Sequence, residues 1–268
     1  MHPAGIAEAT AAAAVAGAIN SVSGGGTLIT FPVLLGLGMN SIRANATSTV
    51  ALWPAVIAAM WGYRQEMRGV GGWTWLIGAP SLIGGLAGAF LLLKTPSRDF
   101  DRIAPFLVLG ATILFMGHGA ISRWLRTRQA QADAEEEAPA ALGALQPSTM
   151  AWFLAFQLGV GIYGGYFGAG IGILMLASLG IMGLTNIHRM NGLKSFGAFC
   201  MNGVAVFWFA ANGKVDWPVA ISMMAGSIAG GYLGSRMARR VGQLAVRRII
   251  IGVGFAATIS LLFRVHFQ

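Results

Sequence analysis

A chain of 268 residues that is 56% hydrophobic and only 10% charged is not an ordinary soluble domain, in which about a quarter of residues carry charge. Its mean hydropathy of +0.67 predicts an all-α integral membrane protein whose solvent is the lipid bilayer. The net charge of +9 does not point to nucleic acid, because the basic residues flank apolar runs, where Lys and Arg set membrane orientation; the single cysteine, Cys200, excludes an internal disulfide and a cysteine-rich metal site.

Charge-free runs in chain order are Ala9–Ile42, Ala44–Tyr63, Gly69–Leu93, Ile103–Ser122, Ala138–His188, Ser195–Gly213, Trp217–Ser235 and Ile249–Phe263. About 20 apolar residues cross a bilayer. The first residues lack the basic start of a secretory signal and read as the beginning of the first span. That run is longer than one straight crossing needs, and its middle, Ser21–Thr27, reads SVSGGGT. Glycine costs about 1 kcal/mol relative to alanine inside a helix, so the cluster predicts a break. The freed amides cannot face lipid. A helix restarting there aims N–H groups at one point, the form an anion site takes. Gly24, Gly25 and Gly26 allow close approach, and Ser21, Ser23 and Thr27 add hydroxyls. The same pattern returns at Gly159–Gly172, with Gly168, Gly170 and Gly172 as its counterparts. The alternative is that small residues only let helices pack closely, the better reading for Gly84, Gly85 and Gly88.

After each broken segment comes a polar cluster at the start of the next run. The first contains Arg43, Asn45, Thr47 and Ser48; the second contains Arg189, Asn191, Lys194 and Ser195. The asparagines are expected as helix caps or ligands, the arginines as forks for a sulfo or carboxylate group, and Lys194 as a point charge. Sliding the chain by 146 residues places Gly24 on Gly170, Asn40 on Asn186, Arg43 on Arg189, Asn45 on Asn191 and Gly88 on Gly234. Recurrence of Arg and Asn at one offset predicts two homologous halves of about four hydrophobic segments each, residues 1–122 and 149–268. Between them, 123–148 reads as a solvated linker with a basic start and an acidic middle. An even number of crossings per half makes the repeats parallel and an odd number inverts them; the residues leave this open. With eight crossings, eleven basic residues fall on one side and seven on the other, with both termini outside.

All nine carboxylates lie at termini or expected loops, whereas cation carriers place an acid in the pathway. An anionic substrate is therefore favoured. His188 is read as a surface residue, and Trp53 as one of several interfacial anchors. No metal-ligand spacing, nucleophile elbow or phosphate-binding loop occurs, so neither an enzyme nor a cofactor is expected.

The twofold glycine breaks, the stretch Asn212-Gly-Lys-Val-Asp-Trp217 and the helix Gly226–Arg240 resemble the TauE/SafE sulfite exporter family, also called the 4-toluene sulfonate uptake permeases. The first half departs from the family pattern: Met67–Trp73 replaces the NVDW-like loop, and Ala46-Thr-Ser48 stands where GTS is usual. Gly192-Leu-Lys194 takes that place in the second half. The resemblance implies a multi-pass permease of the bacterial inner membrane for sulfite or organosulfonates, with a small anion and the bilayer as its partners. A carrier of another small anion is the competing reading, and a non-transporting partner subunit or an intramembrane enzyme is less favoured.

Overall fold

The computed structural model describes residues 2–22, 25–68, 71–134, 146–241 and 243–266. Every regular element among them is a helix: α1 (Pro3–Val22), α2 (Thr27–Gly36), α3 (Ser41–Gly62), α4 (Gly71–Lys94), α5 (Ser97–Ala134), α6 (Pro147–Tyr166), α7 (Ile171–Ile181), α8 (Ile187–Ala211), α9 (Trp217–Val241) and α10 (Gln243–His266). Among the described residues, three stretches are long and apolar enough to cross a membrane: α4, Ser97–Arg128 of α5, and α8. The radial pattern is that of a protein in lipid. Trp75, Phe207, Phe106 and Ile83 are more than 60% exposed, while Thr30, Asn45, Thr47, Ser48, Ser81 and Gln157 are buried. Polar groups in such an interior bond to other elements because lipid offers no partner.

The caps sit one turn earlier than expected. Asn40 accepts from the Ile42 amide, and Asn186 from those of His188 and Arg189. Asn45 lies inside α3 and donates to the Tyr166 carbonyl, 2.9 Å away; Asn191 lies inside α8 and donates to the carbonyl of Ile187. An N-cap must precede the first helical residue, and the asparagines of NSIR and NIHR do so.

Two long contacts rest on glycine. A Cβ at Gly88 would overlap the Ile162 carbonyl, and one at Gly84 would lie 2.6 Å from the Leu158 oxygen, so α4 meets α6 backbone to backbone. In the same way a Cβ at Gly230 would overlap the Ala14 carbonyl, joining α9 to α1. Both pairs run parallel, since Gly84 and Gly88 face Leu158 and Ile162, and Gly226 and Gly230 face Thr10 and Ala14, in step.

These contacts fix the course of the chain between two ends, called proximal where α3 begins and distal where it finishes. The α4–α5 turn and the α8–α9 turn are proximal, the latter tied to α3 by the Asp216 amide donating to Thr47 Oγ. The start of α8 is distal, where Gly192 faces Tyr63 and Met67. The chain doubles back between α1 and α2, bringing Gly26 against Ala16, and between α6 and α7, bringing Gly164 toward Ile171. The first hairpin enters and leaves proximally. The second does so distally. Arg43 and Arg189, expected on one side, therefore lie at opposite ends, and Lys194 lies within the bundle. The expected linker also begins differently: α5 runs on to Ala134, and Leu125 is buried, packed over Gly180 of α7.

Gly88→Ala and Gly230→Ala are each expected to lower the thermal midpoint of the detergent-purified protein, through overpacking costs of about 1–3 kcal/mol. Gly117→Ala, which meets no atom within 4 Å, should leave the midpoint unchanged or raise it. Equal behaviour of the three would refute the close-packing role.

Candidate functional site

Each hairpin tip must satisfy backbone that no helix serves. At the first, Asn20 of α1 accepts the Gly26 amide at 2.8 Å, and Thr30 Oγ donates to the Gly26 carbonyl. Gly25 holds φ +99°, a conformation L side chains rarely adopt, and a Cβ there would overlap the Phe115 ring. At the second tip, the Tyr163 carbonyl accepts the amides of Phe167 and Gly168, and the Tyr163 hydroxyl donates to the Ala169 carbonyl at 2.8 Å. Gly168 and Gly170 both hold φ +81°.

The tips meet at one cavity of about 630 Å³. Gly25 and Thr27 come to it from the first hairpin; Gly168, Gly170 and Gly172 from the second; Asn191, Lys194 and Ser195 from α8. The first turn of α7 forms part of its wall, so the partially positive end of that helix, with amides that lack intrahelical acceptors, lies at the cavity. Lys194 reaches it by passing over α7 where there is no side chain: a Cβ at Gly172 would lie 3.1 Å from Lys194 Cδ. The rest of the wall is aromatic and aliphatic, including Phe115, Phe167, Leu52, Trp53 and Val56. Among the described residues, no Asp or Glu lines the cavity. It extends along α3 to Tyr63 and along α8 to Ile187 and His188, so its mouth is distal, with exposed Arg126 at the rim.

Other sequence candidates lie elsewhere. Ser23 and Gly24 are outside the described residues, as is the side chain of Ser21. Gly26 packs against Ala16, with its amide taken by Asn20. Asn45, Thr47 and Ser48 are buried between helices, bonded to Tyr166, Asp216 and Thr30. Arg43 is exposed on a separate proximal cleft, and Arg189 lines neither space.

Several lining residues escaped the sequence reading. On α8 the positions His188, Asn191, Lys194, Ser195, Ala198 and Asn202 recur every three or four residues, a polar and small stripe on an apolar helix that marks one face. On α3 the matching face is Thr49, Leu52, Trp53, Val56, Ala59 and Tyr63. Trp53 is thus a wall residue, not an interfacial anchor. Its ring stacks on Phe199 at 5.8 Å, and its Nε1 is buried without a partner among the described residues. Arg126 was hidden in the expected linker. Asn20 was passed over beside the more conspicuous glycines.

Asn20→Ala leaves the Gly26 amide without an acceptor, at a cost of about 1–3 kcal/mol. The expected result is a lower thermal midpoint, with Asn20→Asp retaining more of it than alanine because its carboxylate can still accept. An unchanged midpoint in Asn20→Ala would show that another group takes the amide.

Comparison with known proteins finds membrane transporters. A "Probable membrane transporter protein" of Haemophilus influenzae is 27% identical over 254 residues, covering 93% of this chain and 91% of the relative. The "Probable membrane transporter protein YfcA" of Escherichia coli K12 is 26% identical over 262 residues, covering 96% and 89%. "Probable membrane transporter protein ORF9" of a Sinorhizobium species is 26% identical over 258 residues, covering 94% and 90%. No solved structure gives a significant match. The model of the sulfite exporter TauE/SafE family matches residues 9–261, nearly the whole chain, and the protein belongs to that family of membrane transporters.

Proposed function

We propose that the protein is a secondary transporter of small sulfur-containing anions, sulfite or organosulfonates, spanning the bacterial inner membrane several times and driven by an ion or proton gradient. The observation that carries this reading is the charge of the cavity. Lys194 lies in its wall and Arg126 at its rim, with no carboxylate lining it among the described residues. A half-buried cation without a counter-ion is costly to hold inside the bundle, and an anionic ligand repays that cost. Thr27, Asn191, Ser195 and Asn202 offer neutral hydrogen bonds beside it.

The size of the cavity favours one side of this class. At about 630 Å³ it falls among small-molecule pockets, roughly 300–1,000 Å³, and has more room than a bare inorganic oxyanion fills. The aromatic wall suits the carbon part of an organosulfonate. Another amphipathic organic anion is the second reading, and a substrate panel separates the two.

The two halves are read as inverted repeats, with hairpins entering from opposite ends and parallel pairs α1–α9 and α4–α6 exchanging the roles of the halves. Transport would then proceed by one half moving against the other. Arginine placement sets the orientation. Arg64, Arg68, Arg123, Arg126, Arg128, Arg189, Arg236, Arg239, Arg240, Arg247 and Arg248 belong to distal segments, against Arg43, Lys94, Arg98, Arg102, Lys214 and Arg264 at the proximal end. Positive charge favours the cytoplasmic side. The mouth of the cavity therefore faces the cytoplasm.

Liposomes containing the protein are expected to take up an organosulfonate saturably. Lys194→Gln should weaken its apparent affinity at least tenfold, a change of about 1.4 kcal/mol, with partial retention in Lys194→Arg. Folded Lys194→Gln with unchanged flux would sink the assigned role of the lysine. Orientation is tested by Ala59→Cys, which should react with a membrane-impermeant thiol reagent in inside-out but not right-side-out vesicles; the reverse pattern would invert the topology.

A further inference from the structure

The cavity does not account for the basic residues at the other end. Arg43 from the first turn of α3, Lys94 from the end of α4 and Lys214 from the α8–α9 turn converge on a proximal cleft of about 530 Å³. Asn40, Thr95 and Ser97 complete its polar lining. Three separated segments bring their cations to one place, and among the described residues none of them pairs with a carboxylate, the ion pair there being Arg102 with Asp99. Asp216, two residues from Lys214, turns its Oδ1 to the Val219 amide at 3.4 Å, at the start of α9. Lys214 is held in place by its own backbone: its amide donates to the Phe209 carbonyl after Gly213 turns the chain at φ +64°. Lys94 Nζ lies 5.5 Å from the centre of the Phe90 ring.

Between this cleft and the cavity lies a packed layer. Phe31 meets Phe100 and Phe167 edge to face at 6.2 and 5.3 Å. Thr30 bonds Ser48, and Asn45 bonds the Tyr166 carbonyl. The segments that form the cleft are fastened to this layer. Thr95 Oγ lies 3.2 Å from the Tyr166 hydroxyl, and the Asp216 amide donates to Thr47.

We propose that the Arg43–Lys94–Lys214 cleft is a second oxyanion site, at the end of the protein opposite the cavity mouth, where a sulfonate, sulfate or lipid phosphate group binds. Its role as the far station of the pathway rests on the transport reading. The site itself does not. As the far station, it would place an arriving anion on the same turns, Thr95 and Lys214–Asp216, that must move for the layer to part.

The probe is reaction at Ser97→Cys in the full chain, reconstituted in phosphatidylcholine nanodiscs; the native thiol, Cys200, is buried. The anionic sulfonatoethyl methanethiosulfonate should react about tenfold or more faster than its trimethylammonium analogue, because a basic cleft concentrates anions. Sulfate at constant ionic strength should slow the reaction. Arg43→Gln, Lys94→Gln and Lys214→Gln, singly and together, should remove both effects. Protection by sulfate identifies a free anion as the occupant; protection by added phosphatidylglycerol alone identifies a lipid headgroup. Equal rates for the two reagents, with protection by neither, would overturn the site. Flux of the Lys194→Gln variant is read separately, so unchanged flux in that variant with intact protection at Ser97→Cys counts against the cavity reading alone, and weakened flux with neither charge selectivity nor protection at Ser97→Cys counts against the cleft alone.

Discussion

The structure depends on one constraint: where a helix is interrupted inside an apolar bundle, every freed backbone group must find a partner within the protein. Asn20 and Tyr163 meet it at the two hairpin tips, the first as a side-chain acceptor for the Gly26 amide, the second as carbonyl acceptor and hydroxyl donor around Gly168 and Ala169. With the tips held this way, the glycines take positive φ without collapsing into helix, and the two tips meet at one cavity. The remaining helices hold that arrangement. The parallel contacts of α1 with α9 and α4 with α6 are so close that only glycine fits at Gly230 and Gly88, which fixes each hairpin's partner helix to within backbone contact.

The fold class was legible because a low charge fraction and charge-free runs follow directly from the requirement to sit in lipid. SVSGGGT and YGGYFGAGIG are costly in a helix unless they end one, and the intervals between α1 and α2 and between α6 and α7 fall within them. The reversal of the chain there was not legible. A glycine cluster weakens a helix equally whether the chain goes on across the membrane or turns back, and the turning is decided by tertiary contacts such as Gly26 against Ala16. The grouping of Arg43 with Arg189 on one side, which rested on eight straight crossings, failed for that reason.

The candidate site was legible in part for a related reason. Gly25, Thr27, Gly168, Gly170, Gly172, Asn191, Lys194 and Ser195 reach one cavity, while Asn45, Thr47 and Ser48 are the same residue types used as internal fasteners. Residue type cannot separate these uses, because a buried hydroxyl needs a partner whether that partner is a helix or a ligand. Periodicity separates some of them. The stripe from His188 to Asn202 places its members on one face of α8 and brings in Asn202, which no motif marked. The same test applied to α3 selects Thr49, Trp53 and Val56 and leaves Thr47 off that face; Asn45 and Ser48, one turn before Thr49 and Leu52, share the face and are taken instead by Tyr166 and Thr30.

The comparison of Ser48 with Lys194 bears on how the site works. The 146-residue shift puts them at matching positions, yet Ser48 is buried against Thr30 at 2.5 Å while Lys194 crosses Gly172 into open space. If the halves are repeats, the cavity is not symmetric in charge, and its lysine belongs to the second half alone. An anion held by Lys194 and the start of α7 would then stay with the second hairpin while the proximal wall of the cavity opens. The contacts that close that wall are Asn45 to Tyr166, Thr47 to Asp216 and Phe31 to Phe167. Two of them are single hydrogen bonds, each worth about 0.5–1.5 kcal/mol net, an amount within reach of the binding energy of one charged ligand.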